Sequence, residues 1–277
     1  MVVHVQRSRW HHLHARLRHL DPVQSPSLLD LPPIAADARL SYGDAPQQFG
    51  NLFLPKQSSG GALVMNVHGG YWKNKYDLTH ASRFCRALAD SGIAVWCIEY
   101  RRVGDPGGAW PGTFEDMLSA WKTLPRVAKQ HSLNLARTAI CGHSAGGQLA
   151  LALASRHLEH PAKLAVSLAG VVDLQKAYDL HLSNDAVVNF MGGTPDRVPE
   201  HYAEADPMRV HIPVPQALFH GIPDDAVPVA LSRDYAKTKT AQHEHVTYTE
   251  SPTAGHFDWI DPRTPEFGQV RDALSKI

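Results

Sequence analysis

Residues 138–154 read TAICGHSAGGQLALALA. An apolar run of strand length meets a serine set among glycines, Gly142-His143-Ser144-Ala145-Gly146, and passes at once into an apolar run of helix length. Such a turn belongs at the end of a sheet strand, with the helix packed back across the sheet. The turn holds its serine in a strained backbone conformation. Side chains two positions before or after it would strike the neighbouring strand and helix, and Gly142 and Gly146 answer that need.

The rest of the chain supplies a sheet to match. ARLSYG and GNLFLPK read as two short strands in a hairpin at a sheet edge. ALVMNVHGG, IAVWCIEY, KLAVSLAG, VPQALFHG and HVTYTES read as further strands. LTHASRFCRALADSG reads as a helix stopped at Gly92, FEDMLSAWKTLPRVAKQ as a helix disturbed near Pro125, and a last helix runs from about Pro265. Strands separated by helices predict an α/β class with a mostly parallel central sheet and helices on both faces. A polar segment rich in Asn, Asp and Pro, residues 173–210, breaks the rhythm and reads as a small cap or a long crossover. Trp10, Leu13, Leu17 and Leu20 recur at helical spacing among Arg7, Arg9, Arg16 and Arg18. Residues 1–37 therefore read as an amphipathic helix from about Ser8 with a linker, packed on a single domain at 38–277. An organelle-targeting helix is the alternative reading.

Composition narrows the partners. The 27 Lys and Arg balance the 27 Asp and Glu, so no net field draws the chain to nucleic acid or an anionic membrane. No apolar run approaches the ~18 residues of a membrane span, and no apolar signal segment follows Met1. Cys85, Cys97 and Cys141 sit singly in apolar patterns, which fits a reducing, cytoplasmic setting. Nothing fixes the oligomeric state, and a homodimer is compatible with the sequence.

A serine hydroxyl attacks only with a base, a group that orients the base, and donors for the oxyanion. HGGYW, residues 68–72, follows a strand, and paired glycines there would let the N–H groups of Gly70 and Tyr71 meet that of Ala145 around one oxygen. FHGIPDDAVP offers Asp224 and Asp225 after a strand, and AGHFDWID offers His256 after the next. Serine, then Asp, then His is a chain order that distinguishes one serine-hydrolase architecture from others. Asp258 and Asp261 are rival acids. Among 18 histidines, His143 reads as packing that faces away from substrate, His68 as a holder of nearby backbone, His220 as structural, and His243 and His245 as alternating on a surface strand. His11, His12 and His14 complete no metal site, and no metal or cofactor is expected. Tyr71, Trp72 and Phe257, with Trp110, are candidates for a substrate pocket, with core packing as the alternative. Glu99, Arg101 and Arg102 read as an ion-pair network beneath the site.

These motifs carry a resemblance. From about residue 38 onward the chain resembles α/β-hydrolases of the HGG-motif esterase group. HGGYW, EYRR and WPGTFED are similar to bacterial hydrolases of the kynurenine formamidase (arylformamidase) type. The resemblance implies an α/β-hydrolase fold. In its HG-x-x-D-x-x-VP pattern the acid is the fifth residue from the His, which implies Asp224 rather than Asp225. It implies a catalytic triad of Ser144, Asp224 and His256 and a small-molecule substrate, an ester or a formamide. Tyr71 stands where many esterases carry a third glycine. A hydrolase-fold binding protein without catalysis is the rival class; dehalogenases and epoxide hydrolases would need a carboxylate where Ser144 stands.

Overall fold

The computed structural model describes residues 27–56 and 60–277. The amphipathic helix expected near the N-terminus lies outside the described residues. A 3-10 turn at Leu28–Asp30 is capped by Ser27. The body is one compact unit from Pro32 to Ile277. Its first residues are tied down, Ile34 N–H donating to Ser82 Oγ and Arg83 Nε to the Pro32 carbonyl.

Eight strands make one sheet: β1 (Ala38–Ser41), β2 (Phe49–Phe53), β3 (Leu63–Val67), β4 (Ala94–Ile98), β5 (Thr138–His143), β6 (Leu164–Leu168), β7 (Gln216–Gly221) and β8 (Val246–Ser251). Their order is β1-β2-β4-β3-β5-β6-β7-β8. β1 and β2 form the expected antiparallel edge hairpin, β2 runs antiparallel to β4, and every other pairing is parallel. The helices are α1 (Ser82–Asp90), α2 (Gly112–Gln130), α3 (Ala145–Ala154), α4 (Leu174–Asp179), α5 (Ala186–Met191), α6 (Pro199–Ala205), α7 (Ala230–Ala241) and α8 (Pro265–Ser275).

Burial follows from parallel pairing. Every residue of β3, β4, β5 and β7 is buried, as strands covered on both faces require. Leu63, Met65, Val67, Trp96, Ile98 and Ile140 share one core with α2, α3 and Tyr235 of α7. The alternate residues Val64, Val95, Cys97 and Cys141 are fully buried on the other face. There α1 packs on β4, and Phe84 of α1 meets Phe267 of α8 edge to face, 5.8 Å apart. Each such buried side chain contributes on the order of 2 kcal/mol. The three cysteines are free and buried. Among the described residues no helix is long and apolar enough to cross a membrane.

The segment between β6 and β7 carries α4, α5 and α6. Phe190 of α5 stacks on Trp72 with ring centres 4.6 Å apart, and its carbonyl accepts from Trp110 N–H. Three sequence expectations need correction. α2 continues through Pro125: the proline removes the one hydrogen bond its own N–H would make, to the Trp121 carbonyl, and the turns on either side carry on. His243 and His245 are not strand residues, because β8 begins at Val246 and His243 turns the chain at φ 63. Arg101 does not join Glu99; it forks onto Asp116 of α2, with nitrogen–oxygen distances from 2.6 to 3.0 Å.

Candidate active site

The turn after β5 has the geometry its glycines demand. Ser144 lies at φ 55, ψ −120, a left-handed conformation in which its N–H reaches the Leu168 carbonyl of β6, 2.8 Å away. A Cβ on Gly142 would lie 2.0 Å from the Gly146 carbonyl oxygen, and one on Gly146 would lie 2.1 Å from that of Val67. Both are far inside contact distance, so only glycine fits. Ser144 is 2% exposed at the N-terminus of α3. Among the described residues its hydroxyl has no hydrogen-bond partner. Catalytic contacts of this kind often tighten only when substrate is bound.

Asp224 and His256 come from the loops after β7 and β8 and meet directly. His256 Nδ1 lies 2.8 Å from Asp224 Oδ2, with the two residues 7% and 8% exposed. Asp224 Oδ1 accepts from the N–H groups of Ala226 and Val227 at 2.9 and 2.8 Å. Burial alone would push the Asp224 carboxyl up. Hydrogen bonds from His220 and His256, the His256 charge and the Val227 N–H outweigh it and hold the group well below the usual carboxylate range. Asp225 is exposed. The rival acids are engaged elsewhere, Asp258 with Gly255 N–H and Asp261 with Arg263.

His143, next to Ser144 in the chain, reaches His256. Its Nε2–H donates to the His256 carbonyl at 2.9 Å, and its ring lies 4.7 Å from that of His256 and 5.3 Å from that of Phe257. Burial, then the neighbouring His256 charge, push the His143 imidazole well below its ordinary range, so it stays neutral. The sequence predicts packing for His143, and its hydrogen bond across the fold carries no sequence signal. His220 also does more than end a strand, since its Nε2 lies 3.2 Å from Asp224 Oδ2.

The HGGYW loop closes over the turn from the end of β3. A Cβ on Gly69 would lie 3.0 Å from that of Ser144, so the loop backbone comes as near as glycine permits. Gly70, Tyr71 and Trp72 all have positive φ, at 114, 50 and 57. Consecutive left-handed residues are strained, and tethers hold them. Tyr71 Oη donates to the Ala226 carbonyl at 2.5 Å, Trp72 Nε1 donates to Gln148 Oε1 at 3.0 Å, and Lys73 Nζ reaches the Ser183 carbonyl at 2.9 Å. Burial, then the Asp224 charge, push the Tyr71 phenol up to about 12. Among the described residues the N–H groups of Gly70, Tyr71 and Ala145 donate to no protein acceptor. Of the pocket candidates, Tyr71 is half-buried and Phe257 flanks His256 at 5.1 Å. Trp72 is 1% exposed and stacked on Phe190, which makes it a core residue.

Beneath the loop lies a buried ionic group. His68 Nδ1 lies 2.8 Å from the Gly69 carbonyl and Nε2 lies 3.0 Å from Glu99 Oε1. Both partners only accept, so His68 carries both protons. Burial alone would lower the His68 imidazole, but the Glu99 charge and hydrogen bond raise it above its ordinary 6.5. Burial would raise the Glu99 carboxyl, but His68 and then Arg102 hold it below 4.5. The raised His68 contributes stability fully below 6.5, lost as pH rises through its folded value. The lowered Glu99 contributes above 4.5, lost as pH falls through its own. Glu99→Gln should therefore destabilise the fold by about 3 kcal/mol near pH 5.5. The difference from wild type should shrink toward pH 9. Urea denaturation at both pH values checks this, and a constant difference would contradict a charged His68.

Comparison with known proteins places this geometry. The BD-FAE family model matches residues 51–238, which include Gly70, Tyr71, Ser144, Ala145 and Asp224. The chain belongs to the BD-FAE family. An ethyl acetate hydrolase of Pseudomonas putida is 30% identical over 131 residues, 46% of this chain and 40% of that protein. The chain thus spans well under half the length of that relative. A versiconal hemiacetal acetate esterase of Dothistroma septosporum is 25% identical over 266 residues, covering 85% of this chain and 78% of that one. Among solved structures, esterase B of Lactobacillus rhamnosis superposes with a TM-score of 0.74 at 21% identity, over 88% of this chain and 90% of that one. The BD-FAE chain has the α/β-hydrolase fold, as its sequence resemblance implied.

Proposed function

We propose that the chain is a serine hydrolase of small carboxylic esters or N-formyl aryl amides, working through an acyl-enzyme. Ser144 Oγ attacks the carbonyl carbon and its proton passes to His256 Nε2. The N–H groups of Gly70, Tyr71 and Ala145 receive the oxyanion, and Asp224 stabilises the imidazolium through Nδ1–H. His256 then protonates the departing alcohol or amine. Water, giving its proton to His256, attacks the acyl carbon; as the carbon–Ser144 Oγ bond breaks, His256 returns that proton to Oγ, which frees the acid and restores Ser144 and the neutral imidazole. The observation that carries this reading is the 2.8 Å pairing of Asp224 with His256 beside a serine held at φ 55.

Two relatives are named for acetate esters and a third, a neutral cholesterol ester hydrolase of Rattus norvegicus, for a larger ester, which favours an ester over a formamide. Two measurements test the proposal. A fluorophosphonate probe should label the wild-type chain and leave Ser144→Ala unlabelled. Rates on p-nitrophenyl acetate and N-formylkynurenine, side by side, should favour the ester. A wild-type chain that fails to label would belong with the non-catalytic hydrolase-fold binding proteins. A formamide rate exceeding the ester rate would reverse the substrate assignment.

A further inference from the structure

The Asp224 carboxylate is met by two imidazoles. One is His256; the other is His220, the last but one residue of β7, which is fully buried. His220 Nε2 lies 2.8 Å from the Val227 carbonyl and 3.2 Å from Asp224 Oδ2. Both neighbours only accept, so Nε2 carries a hydrogen, aimed chiefly at Val227 with the carboxylate at its side. Nδ1 lies 2.7 Å from Ser232 Oγ of α7, whose hydroxyl donates to it and selects that tautomer. The arrangement closes on itself. Val227 offers its carbonyl to His220 and its N–H to Asp224 Oδ1, so one peptide group links the two side chains.

We propose that His220 is a positioning residue for Asp224: fixed by Ser232, it holds the carboxylate and the Val227 peptide and draws charge from the oxygen that faces His256. The inference rests on the triad role proposed above for Asp224 and His256. Its chemical content is a balance. A carboxylate oxygen that accepts from one imidazole alone attracts the proton of His256 more strongly. One shared with a second donor attracts it less, so the carboxylate's hold on that proton depends on His220. The other titratable groups facing this pair are Tyr71 from the HGGYW loop, His143 from β5 and Glu250 from β8. All three stay in place when His220 is altered.

The test reads the pH profile of kcat/KM on p-nitrophenyl acetate, with fluorophosphonate labelling of the same samples. His220→Leu should lower kcat about tenfold to hundredfold, the scale of losing a supporting hydrogen-bond partner. It should also move the acid limb of the profile upward by about one pH unit, a tenfold change in proton affinity. His220→Gln, which keeps a donor near Nε2, should return the limb toward wild type. Loss of kcat with an unmoved limb, or a Gln variant no better than Leu, overturns the proposal. If His220→Leu does not fold, Ser232→Ala decides: a smaller upward shift supports the role, and an unmoved limb overturns it. A wild-type chain that takes no label refutes the hydrolase reading itself, while a labelled chain with an unmoved limb refutes only this inference.

Discussion

Ser144→Ala is expected to lower kcat on p-nitrophenyl acetate by about four to six orders of magnitude while KM changes little. The variant keeps the turn. Alanine bears the same Cβ as serine, so the strain of φ 55 is unchanged, and the N–H to Leu168 remains. What disappears is the oxygen that would form the acyl bond. The residual rate comes from a water held near His256 and from the donors at Gly70, Tyr71 and Ala145. Because Ser144 is 2% exposed and its hydroxyl bonds to nothing among the described residues, thermal stability should match wild type. A variant with more than a tenth of wild-type kcat would rule out Ser144 as nucleophile.

Asp224→Asn should cost about four orders of magnitude in kcat, for a different reason. Ala226 and Val227 offer two N–H donors to one side of the group, so the asparagine oxygen settles there. Its amide N–H₂ then faces His256 Nδ1, which must accept instead of donate. The proton moves to Nε2, and the imidazole can no longer receive the Ser144 proton. Fluorophosphonate labelling should slow in parallel with kcat, and a loss smaller than tenfold would assign the orienting role to another acid. Stability responds with a definite sign. The lowered Asp224 contributes above its ordinary 3.8 and loses that contribution as pH falls, so wild type and variant should converge in acid.

The features legible in the sequence are those set by local backbone need or chain order. Gly142 and Gly146 announce a turn that no side chain fits, and Ser144, Asp224 and His256 each follow a strand of a parallel sheet, which brings their loops to one edge. Features made by tertiary meeting were not legible. His143 and His256 are 113 positions apart, and no periodicity links them. Arg101 and Arg102 are adjacent, yet their side chains part, one to Asp116 and one to Glu99 and Asp105. Trp72 follows a loop glycine pair and reads as a pocket wall, but its indole finds Gln148 and the Phe190 ring in the core. His220 was visible, four residues before Asp224 in one motif, but its partner Ser232 lies on the next helix.

The sheet order has a consequence for how the proposed activity would be lost. Ser144 follows β5, which is paired on both sides by β3 and β6. His256 follows β8, the last strand, which among the described residues is paired only with β7 and is mostly half-exposed. The proposed nucleophile and base therefore stand on scaffolds of unequal persistence. Under mild heat or denaturant the outer strand should loosen first, and the His256 loop with it while the Ser144 turn is still intact. Loss of the proposed activity should then precede unfolding, and on return to native conditions it should recover by re-docking one edge rather than by refolding the core.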